Sequence, residues 1–382
     1  MSIYLDNNAT TRMAPPVLEA MLPYFGDLYG NAGSAHGLGL RAEAAVQVAR
    51  EQVARLLGAS PAEIVFNSGG TEGLNHVFRG VFEAFPAKRH FVVSAVEHPA
   101  VRALCEWLAR QGAELTVVPV DADGRLEEAV LAAALRPDTA LVSVMAANTE
   151  SGVRFPLERI AAAVKAQGIL FHVDATQAVG KVPLDLRGLP VDLLNLSAHK
   201  FHGPKGVGAL FIRRGLRLKP FQLGGGQERG RRGGTENVPG IVGLGAAAAL
   251  AQELLPDMAR VEALRDRLEA ALRTAIDGVR VLGANAPRLP NTSLLSFRGL
   301  EGEALLLRLD QAGICVSTGS ACATGQKEAS HVLKAMAVPP EYARGTIRVS
   351  LSRYTTDGDI DELIGKLPGM VAELRALNPF GT

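Results

Sequence analysis

The sequence predicts an α/β protein: a mainly parallel sheet of seven strands with helices on both faces, joined to a smaller α+β unit. Three observations predict it. Apolar runs of strand length alternate with amphipathic stretches of helix length through about Gln252. Those runs are continuously apolar, as expected of strands covered on both faces. At 382 residues the chain also exceeds what one hydrophobic core usually organises.

In chain order, the strands are expected at Ile64–Asn67, Phe91–Ser94, Leu115–Val118, Leu141–Val144, Leu170–Val173, Leu193–Asn195 and Ala209–Arg213. Helical periodicity fills the intervals at Gly39–Leu57, Gly73–Ala84, Ala100–Gln111, Leu126–Leu135 and Leu157–Gln167. After Gln252 the pattern changes. A long charged helix, Leu254 to Ala275, leads to strands at Leu294–Phe297 and Ile347–Leu351 and a last helix from Asp359. The expected division is a large domain over 13–253 and a small one from 1–12 with 254–382.

Composition narrows the function classes. Forty basic residues face thirty-nine acidic ones, a balance that argues against nucleic acid or an anionic membrane as partner. The first residues have neither a basic nor an apolar leader region. The longest small-apolar stretch, Ile241 to Ala251, is too short to span a bilayer. Three cysteines, an odd count, do not make a disulfide framework. The expected setting is soluble, reducing and cytoplasmic.

In open α/β sheets chemistry gathers at the carboxyl ends of the strands. The first strand runs into Asn67-Ser68-Gly69-Gly70-Thr71-Glu72, either a capping turn or a helix start that offers N–H groups and a hydroxyl to a phosphate. The next ends at Val96-Glu97-His98-Pro99, where His98 is a polar loop residue or an acid–base imidazole. Asp174 closes the apolar strand of Leu170-Phe171-His172-Val173, where an unpaired carboxylate is costly; it is satisfied by nearby N–H groups or holds a cationic ring nitrogen. Lys200 follows a buried strand in Ser197-Ala198-His199-Lys200, before a Gly203-Pro204 turn. Solubility explains such a lysine poorly; a desolvated amine becomes a nucleophile or Schiff-base former. Phosphate cradle, imidazole, acidic strand end and reactive lysine, in this order, are the parts a pyridoxal cofactor needs. Cys105 and Cys315 sit among apolar neighbours and read as core. Cys322, among small residues and glycines, reads as a nucleophile.

These residues resemble the cysteine desulfurases, fold-type I pyridoxal-phosphate enzymes of the class V aminotransferase-like group. The resemblance runs nearly end to end, through Tyr4-Leu5-Asp6-Asn7-Asn8-Ala9-Thr10-Thr11, Gly69-Gly70-Thr71-Glu72, Glu97-His98 and His172-Val173-Asp174-Ala175-Thr176-Gln177. It continues through Ser197-Ala198-His199-Lys200, Gly224-Gly225-Gly226-Gln227-Glu228-Arg229, Gly234-Thr235-Glu236-Asn237, Gly319-Ser320-Ala321-Cys322 and Ser352-Arg353. It implies that Lys200 forms the Schiff base with pyridoxal 5'-phosphate and moves the Cα proton, that His98 stacks on the ring, that Asp174 holds the ring nitrogen and Gln177 the ring oxygen. It implies Gly70, Thr71, Ser197 and His199 on the phosphate, and Thr235 on the phosphate of a neighbouring subunit in a homodimer with shared sites. Arg353 would clamp the substrate carboxylate, with Asn148 on the substrate side. The implied reaction takes sulfur from L-cysteine, leaving L-alanine and a persulfide on Cys322.

Two departures stand out. Relatives commonly carry Asn-Asn-Glu where this chain has Asn148-Thr149-Glu150; Thr149 keeps a hydroxyl for the ring oxygen, with shorter reach. Longer relatives continue beyond the position of Thr382 into a tail that docks an iron–sulfur scaffold. The sulfur-acceptor protein therefore stays open between such a scaffold, a tRNA-thiolation protein and another carrier. The rival activities are selenocysteine lyase and small-substrate aminotransferase, and the non-enzymatic rival is a scaffold that keeps the fold. Gly37-Leu38-Gly39 is no dinucleotide fingerprint because no strand precedes it. His199 and His202 lack the partners zinc needs, so no metal is expected. The Arg229, Arg231 and Arg232 run is expected to shape the active-site entrance.

Overall fold

A computed structural model describes residues 2–318 and 329–377. The strands are β1 (Ile3–Tyr4), β2 (Ile64–Asn67), β3 (His90–Ser94), β4 (Glu114–Val118), β5 (Thr139–Met145), β6 (Leu170–Asp174), β7 (Leu193–Ser197), β8 (Gly208–Ile212), β9 (Val279–Val281), β10 (Thr292–Phe297), β11 (Ile314–Cys315), β12 (Ser317–Thr318) and β13 (Thr346–Ser350). The α-helices are α1 (Pro15–Met21), α2 (Gly37–Leu57), α3 (Gly70–Ala84), α4 (Pro99–Arg110), α5 (Glu128–Ala134), α6 (Leu157–Ala166), α7 (Val238–Glu253), α8 (Met258–Ala275), α9 (Gly302–Gln311), α10 (His331–Ala335), α11 (Pro340–Ala343) and α12 (Asp357–Leu377).

The large sheet has seven strands in the order β2-β8-β7-β6-β5-β3-β4. Pairs from β7 through β4 are parallel, while β8 runs antiparallel to both β7 and β2. Every residue of β3, β5, β7 and β8 is buried, the physical reason these strands read as unbroken apolar runs. Because β2, β3, β5, β6 and β7 all run the same way, their carboxyl ends open at one edge of the sheet, and the reactive-looking residues end or follow those strands.

A second sheet, β12-β13-β10-β9, is antiparallel. Leu5 packs into the core behind it, with Leu264 and Leu268 of α8, Leu305 of α9 and Leu363 and Leu367 of α12. The amino-terminal segment reaches this core because β1 pairs in parallel with β11 and Asp6 bridges to Ser350. Leu282, Leu289, Leu294 and Leu333 instead join the core of the large sheet.

The expected charged helix from Leu254 starts later, at Met258, after a 3-10 turn over Leu255–Asp257. Pro256 has no N–H to offer that turn and fits its first positions. The apolar stretch around Ile241 is helix α7, which packs on α1 and α2. Its glycines allow the contact: a Cβ on Gly245 would lie 2.6 Å from Ala49 Cα, and one on Gly243 2.5 Å from Met21 Sδ. Among the described residues no single helix is long and apolar enough to cross a membrane. Cys105 is buried as expected, and burial pushes its thiol up to about 12. Cys315 is only half-buried, because β11 is a two-residue strand paired on one side with β1. The arginine run is tied inward: Arg232 pairs with Glu72 at 2.9 Å, and Arg229 and Arg231 donate to the carbonyls of Ile64 and Ala62.

Candidate active site

The loops at that sheet edge enclose a cavity of about 260 Å³ lined by Gly70, Thr71, His98, Thr149, Asp174, Thr176, Gln177, Ser197, His199 and Lys200. Each residue arrives on a defined element. Lys200 ends the 3-10 turn Ala198–Lys200 directly after β7. Its Nζ donates to the carbonyls of Asn8 at 2.6 Å and Ala9 at 2.9 Å. Burial, then the nearby Arg348 guanidinium, lowers its ammonium from the usual 10.5 to about 8, against opposing pulls from Asp174 and Asp6. The amine is therefore available uncharged not far above neutrality.

Asp174 closes β6, and Oδ1 accepts from Thr176 N and from Asn195 Nδ2, both at 3.0 Å. Asn195 Nδ2 also donates to Thr176 Oγ1 at 3.2 Å, so Asn195 Oδ1 is the acceptor for His172 Nε2 at 2.7 Å. That fixes the proton on Nε2 and makes Nδ1 accept from Ser143 Oγ at 2.8 Å. Burial depresses the His172 imidazolium to about 4, so the ring is neutral. The carboxylate is thus aimed by a fully buried chain, Ser143–His172–Asn195, running across three adjacent strands.

His98 caps α4: Nδ1 accepts from Ala100 N at 3.2 Å, with Pro99 at the first helical position. It is both capping residue and cavity wall, and burial lowers its pKa. The amino terminus of α3 borders the same cavity. Helix geometry leaves its first N–H groups without intrahelical partners, and Gly69 enters it at φ +143°, open to glycine. A Cβ on Gly69 would lie 3.4 Å from Ser197 Oγ, which puts that hydroxyl beside the helix start. His199 is held by Thr10 Oγ1 at 3.1 Å and is lowered to about 4, by burial and then by Lys200.

The class-V aminotransferase family model matches residues 3–363. A cysteine desulfurase of Trichormus variabilis is 53% identical over 378 residues, 99% of this chain and 95% of that protein. One of Cereibacter sphaeroides is also 53% identical, covering 99% and 98%. The solved structure of a NifS-like protein superposes with a TM-score of 0.92 at 42% identity, covering 98% of this chain and all of that one. The chain belongs to the cysteine desulfurases of the class-V aminotransferase family. It is an enzyme of the fold-type I architecture, and cysteine desulfurases depend on pyridoxal phosphate.

Nine expected residues of this desulfurase meet in the one cavity; Asn148, Thr235 and Arg353 do not line it. Asn148 is turned inward: Nδ2 donates to Val96 O, while Oδ1 accepts from the N–H groups of Glu150 and Ser151 and from Ser151 Oγ. Its amide is spent on the turn after β5. Thr235 lines a separate cavity of about 140 Å³ with Asn67, Ser68 and Arg232. Arg353 lines a small space behind Lys200, together with Lys181 and His202; its Nη1 donates to Leu250 O at 3.4 Å, and its buried Nε has no partner among the described residues. Gln177 does line the cavity, but Nε2 donates to Asn8 O and Oε1 accepts from Lys181. Cys322 lies outside the described residues.

Sequence reasoning passed over Asn8 and Asn195. Asn8 joins both sheets: its carbonyl serves Lys200 and Gln177, and its side chain bonds Thr149 O, Thr292 Oγ1, Asn291 Nδ2 and Lys181 Nζ. The signal was the polar pair Asn7-Asn8 after an apolar start, and Asn195 interrupting the apolar strand Leu193-Leu194-Leu196.

Proposed function

We propose that the chain binds pyridoxal 5'-phosphate in the 260 Å³ cavity and uses it to take sulfur from L-cysteine, yielding L-alanine and a persulfide on Cys322. The observation that carries this reading is the convergence of an amine lowered to about 8, Lys200, with the Asp174 carboxylate and the α3 amino terminus around one cavity. The residues present fit the cofactor. Gly70 leaves bare backbone where a Cβ would come 3.0 Å from Thr176 Oγ1, so an anion can approach the N–H groups. Gly70, Thr71, Ser197 and His199 would hold the phosphate, Asp174 the ring nitrogen, and Thr149 or Gln177 the ring oxygen; His98 would stack on the ring.

When bound, the cofactor supplies an electron sink for the Cα carbanion. The chain supplies the rest. Lys200, whose Nζ is held by two carbonyls, would take the Cα proton and return one for alanine. His98, neutral by burial, can hold a proton in the same space. The Cys322 thiolate attacks the substrate sulfur; the carbon–sulfur bond breaks as the sulfur–sulfur bond forms, and the departing electron pair is protonated. Arg353 would pair with the substrate carboxylate, with Asn148 on the substrate side.

The same proposal includes a homodimer in which Thr235 completes the partner's phosphate site, and a protein acceptor that takes the persulfide sulfur. Cys322 must stay reduced, which suits a cytoplasmic setting. The domains are assigned as 13–253, and 1–12 with 254–382. The test is alanine and sulfide release from L-cysteine by the purified, cofactor-loaded enzyme. Cys322→Ser should abolish both while leaving cofactor binding intact; desulfuration surviving in that variant, or transamination as its main reaction, would overturn the reading.

A further inference from the structure

Lys181 is a buried amine that the proposed chemistry leaves without a role. It follows Gly180, whose φ of +74° turns the chain where a Cβ would lie 2.8 Å from Phe201 Cβ. The turn brings Lys181, 6% exposed, between the cavity of Lys200 and the smaller space of Arg353. Its Nζ donates to Gln177 Oε1 at 2.8 Å and to Asn8 Oδ1 at 3.2 Å. The other end of Gln177 donates to the Asn8 carbonyl at 2.9 Å, the same oxygen that receives Lys200 Nζ at 2.6 Å. The bonds close a ring: Lys181 grips both side chains that flank the acceptor of Lys200. Neither amide can turn over without placing an NH2 group against Lys181.

We infer that Lys181 is a positioning residue of the active site: by clamping Gln177 and Asn8 it fixes the carbonyl that receives Lys200 Nζ, and so the position from which Lys200 acts. This rests on the reading of Lys200 as the reactive amine. Burial, then Lys200 and Arg348, pushes the Lys181 ammonium well below its usual range. The clamp survives that loss, because a neutral amine keeps two N–H donors and the geometry uses two. A filler of the same space would need no amine; burying one is expensive unless its hydrogen bonds matter.

The test compares Lys181→Met, which keeps the apolar stem and removes both donors, with Lys181→Gln, which keeps an amide donor. In cofactor-free protein, Lys200 is labelled by reductive methylation across a pH series and read by peptide mass spectrometry. In Lys181→Met the labelling midpoint should fall by about half a pH unit or more, since Lys200 loses a firmly held carbonyl that favours its ammonium. Lys181→Gln should recover part of the shift. In loaded enzyme, kcat for alanine formation should drop roughly tenfold in Lys181→Met with KM nearly unchanged. Adding Gln177→Leu to Lys181→Met should cost no more than the worse single change.

An unshifted Lys200 midpoint with unchanged kcat in folded Lys181→Met would overturn the inference, as would fully additive losses in the double variant. Gln177→Leu, which removes one arm of the clamp without adding charge, carries the cofactor-free labelling criterion if Lys181→Met does not fold. If the unaltered enzyme makes no alanine from cysteine, the proposed function fails, while Lys200 labelling still decides the role of Lys181.

Discussion

Asn195 Nδ2 donates to Asp174 Oδ1 over 3.0 Å, so the carboxylate at the end of β6 is aimed by an amide on the neighbouring strand. Removing that amide leaves Thr176 N as the other donor to Asp174 among the described residues. Asn195→Leu keeps the volume and should weaken pyridoxal-phosphate binding by about tenfold to a hundredfold, the usual worth of a hydrogen bond to a charged group. Absorbance titration of the cofactor-free protein measures it. Affinity equal to that of the unaltered protein would show that Asp174 keeps its aim without the Asn195 bond.

The lowered amine of Lys200 makes a signed pH prediction. Its folded value, about 8, lies below the ordinary 10.5. The folded state therefore binds fewer protons than the unfolded one between those values, and this group adds stability as pH rises through that window. The uncharged fraction grows about tenfold per unit up to pH 8 and then levels. The rate at which cofactor-free enzyme takes up pyridoxal phosphate should follow the same curve. Arg348→Gln removes the neighbouring guanidinium and should move the inflection upward; stopped-flow absorbance across pH 6.5 to 10 (roughly, spanning the shift) reads it. A flat profile would exclude Lys200 as the titrating group.

Most of the large sheet was legible because burial on both faces writes itself as unbroken apolar runs, and β2 falls where Ile64–Asn67 was read. The two-residue strands β1, β11 and β12 were not legible; they exist only through pairing with distant segments. Helix α7 escaped because it is apolar on every side, and periodicity is blind to a helix whose glycines let neighbours close in. The same division holds at the active site. Lys200, Asp174 and His98 stand out, since a charge or imidazole at the end of a buried strand is costly without a use. Asn8 and Lys181 do not, because their meaning lies in partners 192 and 173 residues apart from Asn8 along the chain. Asn148 is hard to read for the converse reason: an amide after a strand serves a turn as readily as a substrate, and here it bonds the turn.

Glu97 predicts a stability effect of opposite sign. Burial, opposed by hydrogen bonds from Ser94 Oγ and Met145 N, raises its carboxyl from 4.5 to about 8. The folded state thus binds more protons than the unfolded between those values. The contribution is full below pH 4.5 and is lost as pH rises through about 8. Glu97→Gln has no proton to lose. The difference in unfolding free energy between the unaltered enzyme and this variant should therefore swing toward the variant by a few kcal/mol from pH 5 to 8 (order of magnitude). Denaturant titrations at both ends of the range measure it, and a pH-independent difference would contradict the assignment.

Arg50 and Glu228 make the last prediction. The two are bidentate, Nη1 to Oε2 at 2.8 Å and Nη2 to Oε1 at 2.9 Å, with side chains 5% and 3% exposed. Glu228 Oε2 also accepts from Phe66 N at 2.9 Å. The pair therefore ties the segment before Thr235 to strand β2, and does so with Glu228 at φ +48°, a conformation that is costly for a non-glycine residue and is offset here by the surrounding contacts. Truncating one partner buries an uncompensated charge, so Glu228→Ala should cost about 3–5 kcal/mol. Arg50→Met with Glu228→Leu removes both charges and should cost less than Glu228→Ala alone. Urea unfolding of the three proteins separates the cases. If the double variant were the least stable, the hydrogen bonds to Phe66 and Ile64 would outweigh the charge pair in holding this segment.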